Sequence, residues 1–184
     1  MTDETLPFGV ADIKAYKAGK HFALEYCQLN GFEEWSLAEI PVQWNDQDPN
    51  RHLNNAVYAK YLEAGRVGFL TGMITGLRAK DPSMPDLLKI GPLVLAQVLI
   101  NYERPVFAPD YLAIAHRVKA VSLKKMTLEF CFISYNQRKK VAGGEVTMVS
   151  FDHATQKVGE HHPAVHKFLL ERLAASENKL KARL

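Results

Sequence analysis

The chain has 184 residues, a length that suits a single domain with a sizeable core. Its apolar and charged fractions, 47% and 23%, are ordinary for a globular protein. A net charge of +3 is too small to indicate a nucleic-acid partner, and no apolar run approaches the roughly 20 residues of a membrane helix.

The N-terminal residues and the cysteines indicate the compartment. The first ten residues carry acids but no basic segment, unlike a secretory signal or a transit peptide. The two cysteines, Cys27 and Cys131, are too few for a disulfide framework and predict free thiols in a reducing compartment. These features favour a cytoplasmic protein, with an organellar location left open.

The chain begins with a segment, residues 1–35, that is predicted to be accessory to the main domain. Within it, residues 11–29 have apolar side chains at helical spacing, although Gly19 weakens the pattern. The main domain is predicted to span residues 36–160. A C-terminal helix is predicted over residues 161–184, with a proline in its first turn.

The main domain opens with a short strand and a long helix. Residues 38–44 combine β-forming residues with a proline, which suits an edge strand or a strand start. Residues 54–73 have helical periodicity, and Asn54 or Asn55 can cap this helix because an Asn side chain accepts a hydrogen bond from a first-turn N–H. The helix carries several alanines and glycines, so another backbone can approach it closely. This pattern indicates a slim helix wrapped by a sheet.

Four segments after the helix are predicted to be strands, because each is apolar or alternates between apolar and polar residues. They are residues 91–105, 110–122, 126–136 and 140–152. Short connections between the last three favour antiparallel neighbours. Gly143 and Gly144 are predicted to form a bulge. His116 lies on an apolar strand face and is predicted to be a core or interface histidine with a satisfied hydrogen bond. The fold class is therefore α+β, with one long helix against an antiparallel sheet.

The loop between the strand and the helix, WNDQDPNRHLNN at residues 44–55, concentrates groups that can do chemistry. Asp48, Asn50 and His52 supply a carboxylate, an amide and an imidazole just before a helix N-terminus. The unpaired N–H groups of such an N-terminus can stabilise an oxyanion, and a carboxylate or imidazole can transfer a proton. Asp and Asn also favour turns and caps for structural reasons alone, so composition leaves both interpretations open.

Residues 42–66, VQWNDQDPNRHLNNAVYAKYLEAGR, resemble the signature of the hotdog-fold acyl thioesterases. The 4-hydroxybenzoyl-CoA thioesterase-like family has the similar pattern W-x-D-x-D-x-x-G-H-x-N-N-x-x-Y-x-x-Y-x-E-x-x-R, and plant acyl-ACP thioesterases share D-x-D-x-N-x-H-x-N-N. Residues 100–118 are similar, less specifically, to the family's RP…GD strand pair. The resemblance covers about residues 38–153 and implies a hotdog fold. It also implies a homodimer or a dimer of dimers with active sites at the subunit interface.

The resemblance implies roles for individual loop residues. Asp48 takes the position of the catalytic carboxylate, as general base on water or as nucleophile on the thioester carbonyl. The backbone N–H of Asn55 takes the position of the donor that polarises this carbonyl. Asn50 and His52 match residues that assist orientation and proton transfer in the plant enzymes. Arg51 departs from the pattern, because the bacterial branch has glycine there. Its side chain either changes the loop conformation or offers a cation to an acidic substrate.

Other positions are open to both a structural and a functional interpretation. Asp46 is predicted to hold the loop in place. Glu63 matches the family's E-x-x-R, and an ion pair with Arg66 is favoured over a role as a second carboxylate. Lys124 and Lys125 stand where the benzoyl-CoA branch contacts CoA phosphates, although a solvated strand edge guarded by lysine explains them equally well.

The predicted function is hydrolysis of an acyl-CoA to a free acid and CoA, without a metal or redox cofactor. An acyl-ACP substrate is the nearest alternative. A hotdog hydratase or dehydratase would use a His/Asp pair on an enoyl or hydroxyacyl thioester, and a non-catalytic acyl-thioester-binding protein would keep only the fold. The intact carboxylate, amide and imidazole of the loop favour hydrolysis over both. Candidate residues for an acyl pocket between helix and sheet are Leu62, Phe69, Tyr102 and Phe107.

Overall fold

The computed structural model of the chain describes residues 12–86, 93–152 and 155–182. Three α-helices and six β-strands follow one another within these ranges, with short 3-10 turns at Glu34–Ser36 and Trp44–Asp46. The elements are α1 Ile13–Asn30, β1 Ala38–Val42, α2 Asn55–Lys80, β2 Leu93–Tyr102, β3 Asp110–Val121, β4 Lys125–Ser134, β5 Lys139–Asp152, β6 Lys157–Val158 and α3 Pro163–Lys181.

The sheet is antiparallel and curls around α2, which confirms the predicted α+β hotdog fold. Its strand order is β1-β3-β4-β5-β2, and β6 pairs with the end of β5. Side chains two apart on a strand share a face of the sheet. The even-numbered residues of β3 and β4 therefore face α2 together and pack against one side of it. The central members of this core are Leu112, Ile114, Phe130, Phe132, Phe69 and Met73.

Helix α2 is longer than the sequence predicted, ending at Lys80 rather than near residue 73. Two features explain the extra turns. Leu77 packs against the main core, so the added length buries apolar surface. Arg78 and Lys80 lie in the last turn, where their positive charges interact favourably with the negative end of the helix dipole.

The predicted bulge at Gly143 and Gly144 is wrong, because both residues pair regularly with the neighbouring strands. In the pairings of β5, the irregularities fall instead at Ala96 on β2 and at Val141 on β5, where the registers shift. Glycine is required at position 144 for a different reason. A Cβ there would lie 1.9 Å from the carbonyl oxygen of Leu99, so β2 and β5 pack too closely for any side chain.

Helix α1 covers the outer face of the sheet. The odd-numbered residues of β3 and β4 point away from α2 and form a second core with the buried face of α1: Ala113, Ala115, Cys131, Ile133, Ala23 and Cys27. Both cysteines are free and fully buried, as predicted for free thiols. Burial raises the pKa of the Cys131 thiol well above its usual range, with a further contribution from the adjoining Cys27 thiol, so this thiol stays protonated.

A carboxylate also holds α1 on the sheet. Glu39 of β1 accepts hydrogen bonds from the hydroxyls of Tyr16 at 2.6 Å and Tyr135 at 2.9 Å, and from the Lys20 ammonium at 2.6 Å. Burial opposes ionisation of Glu39, but these three donors together lower the pKa of its carboxyl group. A charged, hydrogen-bonded side chain therefore joins α1 to β1 and to the turn after β4.

His116 is buried in the main core, as predicted, but its predicted hydrogen bond is absent. Neither ring nitrogen has a partner within the described part of the chain. The ring lies instead near Phe69 and Phe130, with centroids 5.9 and 6.4 Å away. Burial, with a smaller contribution from the Arg66 charge, lowers the pKa of His116 to about 3. The side chain is therefore neutral in the folded protein at any ordinary pH.

This histidine should make the folded state less stable in acid. The unfolded chain binds a proton at His116 below about pH 6.5, whereas the folded chain does not, so the free energy of unfolding falls as the pH drops from 6.5 towards 3. The loss is about 2 kcal/mol at pH 5, from roughly 1.4 kcal/mol per pH unit. His116→Leu should raise stability at neutral pH and flatten this slope, because it removes two unpaired buried nitrogens. Urea unfolding at pH 7 and pH 5 measures both effects.

The matched control is His21→Leu, since His21 is exposed on α1. This control should keep the acid-dependent loss of the wild-type protein. An equal slope in His116→Leu and the wild type would show that another group causes the loss.

Candidate active site

The loop between β1 and α2 is a closed turn. The Asp48 N–H donates to the His52 carbonyl at 3.0 Å, and the Arg51 N–H donates to the Asp48 carbonyl at 2.9 Å. The Leu53 N–H donates to the Val106 carbonyl at 2.7 Å, which ties the end of the turn to the connection between β2 and β3. The local Asp, Asn and Pro content thus gives an ordered turn in front of the helix.

Asp46 fixes the base of this turn, in agreement with its predicted role. Its carboxylate accepts hydrogen bonds from the Gln43 N–H at 2.9 Å and from the Tyr61 hydroxyl at 2.5 Å. Its carbonyl accepts from the Asn54 N–H at 2.9 Å. Burial and the bond to Asp46 raise the pKa of Tyr61, so its hydroxyl remains a donor. The contact between Tyr61 and Asp46 was not predicted from the sequence, because it joins residues 15 positions apart.

The structure brings Asp48, Asn50 and His52 together at the tip of the turn. One carboxylate oxygen of Asp48 accepts from the Asn50 N–H at 2.8 Å, and the other accepts from the Asn50 side-chain amide at 3.2 Å. The His52 Nδ1 lies 3.8 Å from the Asp48 carboxylate, within electrostatic reach but beyond a hydrogen bond. The Asp48 side chain is 18% exposed, so the carboxylate is oriented by its neighbour and still open to a small molecule.

Helix α2 begins directly after this group. The Asn54 side chain caps the helix by accepting the Ala56 N–H at 2.9 Å. Asn55 is the first helical residue, so its N–H has no partner within the helix. Together with the partial positive charge of the helix N-terminus, this N–H can stabilise a developing oxyanion.

Arg51 has a left-handed backbone conformation, with φ of 65°. Glycine adopts this conformation without strain, whereas a residue with a Cβ bears a cost of roughly 1 kcal/mol. The loop therefore retains the backbone conformation that suits the family's glycine although arginine occupies the position. The Arg51 side chain is exposed.

An open pocket of ≈ 390 Å³ lies against the start of α2. Its walls are formed by His52, Leu53, Asn55, Tyr58, Tyr102, Glu103, Arg104 and Pro105. Tyr58 and Tyr102 meet edge to face, with ring centroids 5.1 Å apart. Burial raises the pKa of Tyr58 to about 12, so the Tyr58 side chain contributes a neutral aromatic surface to the pocket. Of the four candidates for an acyl pocket, Tyr102 lines this one, whereas Leu62 and Phe69 are buried in the core.

Glu63 lies away from this pocket, eight residues along α2 from Asn55 or about 12 Å along the helix axis. Its carboxylate is 3.8 Å from the Arg66 guanidinium, so the favoured ion pair is present. The Glu63 side chain is 68% exposed and lines a separate surface pocket with Asp46 and Tyr61.

Lys124 and Lys125 are not brought to the loop within one chain. Lys124 lies in the turn between β3 and β4 and Lys125 begins β4, whereas Asp110, at the opposite end of β3, lies near the loop. The length of β3 separates the two places by about 35 Å.

No group of three or more His, Cys, Asp or Glu side chains in residues 12–86, 93–152 and 155–182 is arranged to hold a metal ion. In those same ranges, no helix has the length and apolar character needed to cross a membrane.

A sheet curled around one long helix, with a polar turn at the start of that helix, is the architecture of the hotdog-fold thioesterases. The family model of the Thioesterase-like superfamily matches residues 42–175. The chain belongs to this superfamily, and its class is thioester hydrolase. No curated protein sequence matches the chain.

Solved structures share this fold. A thioesterase from Thermus thermophilus, complexed with coenzyme A and Zn, is 23% identical with a TM-score of 0.55, over 74% of this chain and 95% of that one. A DHNA-CoA thioesterase from Staphylococcus aureus is 15% identical with a TM-score of 0.61, over 78% of this chain and 93% of that one. At these identities the likeness establishes the fold alone.

Proposed function

We propose that the protein hydrolyses acyl-CoA thioesters to free acids and CoA, with Asp48 as the reacting carboxylate. The observation that carries this proposal is the Asp48 side chain, which Asn50 orients through two hydrogen bonds beside the start of α2. A carboxylate at that place can activate water or attack the thioester carbonyl, while helix N–H groups take up the oxyanion charge. Coenzyme A is favoured as carrier because the Thermus thioesterase of this fold was crystallised with it.

The remaining site residues receive supporting roles in this proposal. The Asn55 N–H is the oxyanion donor, and Asn50 orients the carboxylate. His52, within 4 Å of Asp48, protonates the departing thiolate. Arg51, exposed on the turn, contacts anionic groups of the substrate. The substrate contacts proposed for Glu63, Lys124 and Lys125 require a second subunit, because the residues lie away from the turn within one chain.

A thioester panel tests the proposed activity. Acyl groups of different length on CoA, on ACP and on N-acetylcysteamine are incubated with the protein, and the released thiol is measured. We expect thiol release from acyl-CoA, faster than from acyl-ACP. Loss of enoyl absorbance without thiol release would identify a hydratase instead. Tight binding of CoA with no hydrolysis across the panel would identify a binding protein.

We propose that two copies of the chain pair through strand β2. Among the described residues, this strand ends the sheet and has a neighbouring strand on one side only. It exposes large apolar side chains on what is otherwise an unprotected edge, an arrangement that favours pairing with another strand. These side chains are Val94, Leu95, Val98, Leu99 and Tyr102, each between 38% and 51% exposed.

The exposed side of α2 supports the same dimer. Val67 is 50% exposed, and an added Cβ at Gly68 or Gly76 would meet nothing within 4 Å. A dimer through β2 would extend the sheet across both copies and give these open faces a partner.

We further propose that residues 36–160 carry the activity and that residues 1–35 and 161–184 are accessory to it. We also propose that the protein works in the cytoplasm.

A further inference from the structure

We propose that Tyr102 is a positioning residue for thioester hydrolysis, because it ties the first turn of α2 to strand β2. Its hydroxyl donates a hydrogen bond to the Asn55 carbonyl at 3.1 Å, between residues 47 positions apart in the chain. The inference rests on the proposed role of the Asn55 N–H as oxyanion donor. It adds a residue that does not touch the reacting atoms but sets where this donor lies.

The first turn of α2 has few other connections to the sheet. The Asn54 cap and the Asp46 carbonyl both belong to the loop that precedes the helix. Within the described part of the chain, the bond from Tyr102 is the one side-chain hydrogen bond found between the sheet and residues 55–58. Without it, this turn would be held by the preceding loop and by the packing of Tyr58 on the core, with no hydrogen bond from the sheet beside the Asn55 N–H.

Ring contacts fix the direction of the Tyr102 hydroxyl. The Tyr102 ring packs edge to face on Tyr58, which belongs to the same turn of α2 as Asn55. Tyr58 packs edge to face on the fully buried Phe132, with centroids 5.2 Å apart. The Tyr102 side chain is thus held against both the helix and the core, although it is 45% exposed and lines the pocket.

The position of an oxyanion donor has a large effect on rate. A donor stabilises the transition state only when it lies close to the place where negative charge develops, and a shift of about 1 Å can cost up to 10²-fold in rate. Binding of the carrier does not depend on this alignment. A residue that sets the donor position should therefore affect kcat much more than KM.

Tyr102→Phe removes the hydroxyl and keeps the ring. We expect kcat for the best acyl-CoA of the panel to fall by about 10-fold, with KM changed less than about twofold, because a weakly held turn loses donor alignment but not substrate contacts. The matched control is Tyr16→Phe, which removes the 2.6 Å hydrogen bond to Glu39 on the outer face of the sheet. This control should retain wild-type kcat and KM.

Two further measurements separate positioning from a general loss of structure. Hydrogen exchange of the peptide covering residues 53–60 should be faster in Tyr102→Phe than in the wild type and in Tyr16→Phe. Incorporation of 4-aminophenylalanine at position 102, which restores an N–H donor, should recover most of the lost kcat.

The outcomes also distinguish this inference from the proposed function. Wild-type kcat and unchanged exchange in Tyr102→Phe, in an enzyme that Asp48→Asn inactivates, would overturn the role of Tyr102 and leave the proposed function standing. A wild-type protein that releases no thiol from any thioester would overturn both. Equal loss of kcat in Tyr102→Phe and Tyr16→Phe would reduce Tyr102 to a structural residue.

Discussion

Asp48→Asn is expected to lower kcat by about 10²- to 10⁴-fold, the usual contribution of a positioned acid–base group. The amide can neither accept a proton from water nor attack the carbonyl, so both proposed mechanisms fail. The fold should survive, because the amide oxygen can still accept the Asn50 N–H that the carboxylate accepts at 2.8 Å. KM should change little, since Asp48 activates the water or attacks the carbonyl carbon and does not bind the carrier. Steady-state thiol release and thermal unfolding measure the two expectations.

Asp81→Asn is the matched control for this variant. Asp81 follows the end of α2 and accepts the Ser83 N–H at 2.9 Å, the same local turn contact that Asp48 makes with Asn50. It lies at the opposite end of the helix from the proposed site, so its loss should leave kcat unchanged. Near-native turnover of Asp48→Asn on a good thioester would eliminate Asp48 as the reacting carboxylate.

The sequence predicted the polar turn well because its contacts are local. The bonds of Asp48 and the Asn54 cap join residues two positions apart, so residue types at fixed spacing are sufficient to predict them. The bond from Tyr102 to Asn55 was not predictable in this way. This bond depends on the register of β2 against β5, and a local sequence pattern does not predict that register.

The strands were predictable from alternation, but the reasons for particular residues were not. Two adjacent glycines are typical of a bulge, yet Gly144 is required by the close approach of the Leu99 carbonyl from another strand. His116 was placed correctly in the core. Its missing hydrogen bond could not be predicted, because the partners of a buried side chain depend on how α2 packs across the sheet. Tertiary contacts between distant segments decide both features.

Arg51 shows a further limit of sequence analysis. Its residue type suggested two alternatives, a changed loop or a cation for the substrate. The left-handed φ of 65° shows that the backbone keeps a glycine-like conformation at this position. We propose that the exposed guanidinium binds anionic substrate groups and that this binding offsets the cost of the conformation. A thioester panel with charged acyl groups would measure how much the guanidinium contributes to substrate binding.

Val98→Lys is expected to convert the proposed dimer to monomers and to abolish most of the activity. In a twofold pair of antiparallel β2 strands, residues near the strand centre meet their own copies, and Val98 lies next to the centre of Leu93–Tyr102. Two lysines would then face each other in an interface, which raises the dimer dissociation constant by at least about 100-fold. Activity should be lost together with the dimer, because the proposed substrate contacts of Lys124 and Lys125 require a second subunit. Sedimentation and thiol release on the same samples test both.

Charge complementation separates assembly from a local defect of β2. Val98→Glu alone should also be monomeric, but a mixture of Val98→Lys and Val98→Glu should dimerise and regain activity, because opposite charges then meet at the twofold axis. Leu29→Lys is the control, since Leu29 is 53% exposed on α1 and lies away from this edge. Monomers with full activity would show that one chain holds a complete site. A wild-type dimer that Val98→Lys leaves intact would place the interface on another surface, with the open face of α2 as the next to test.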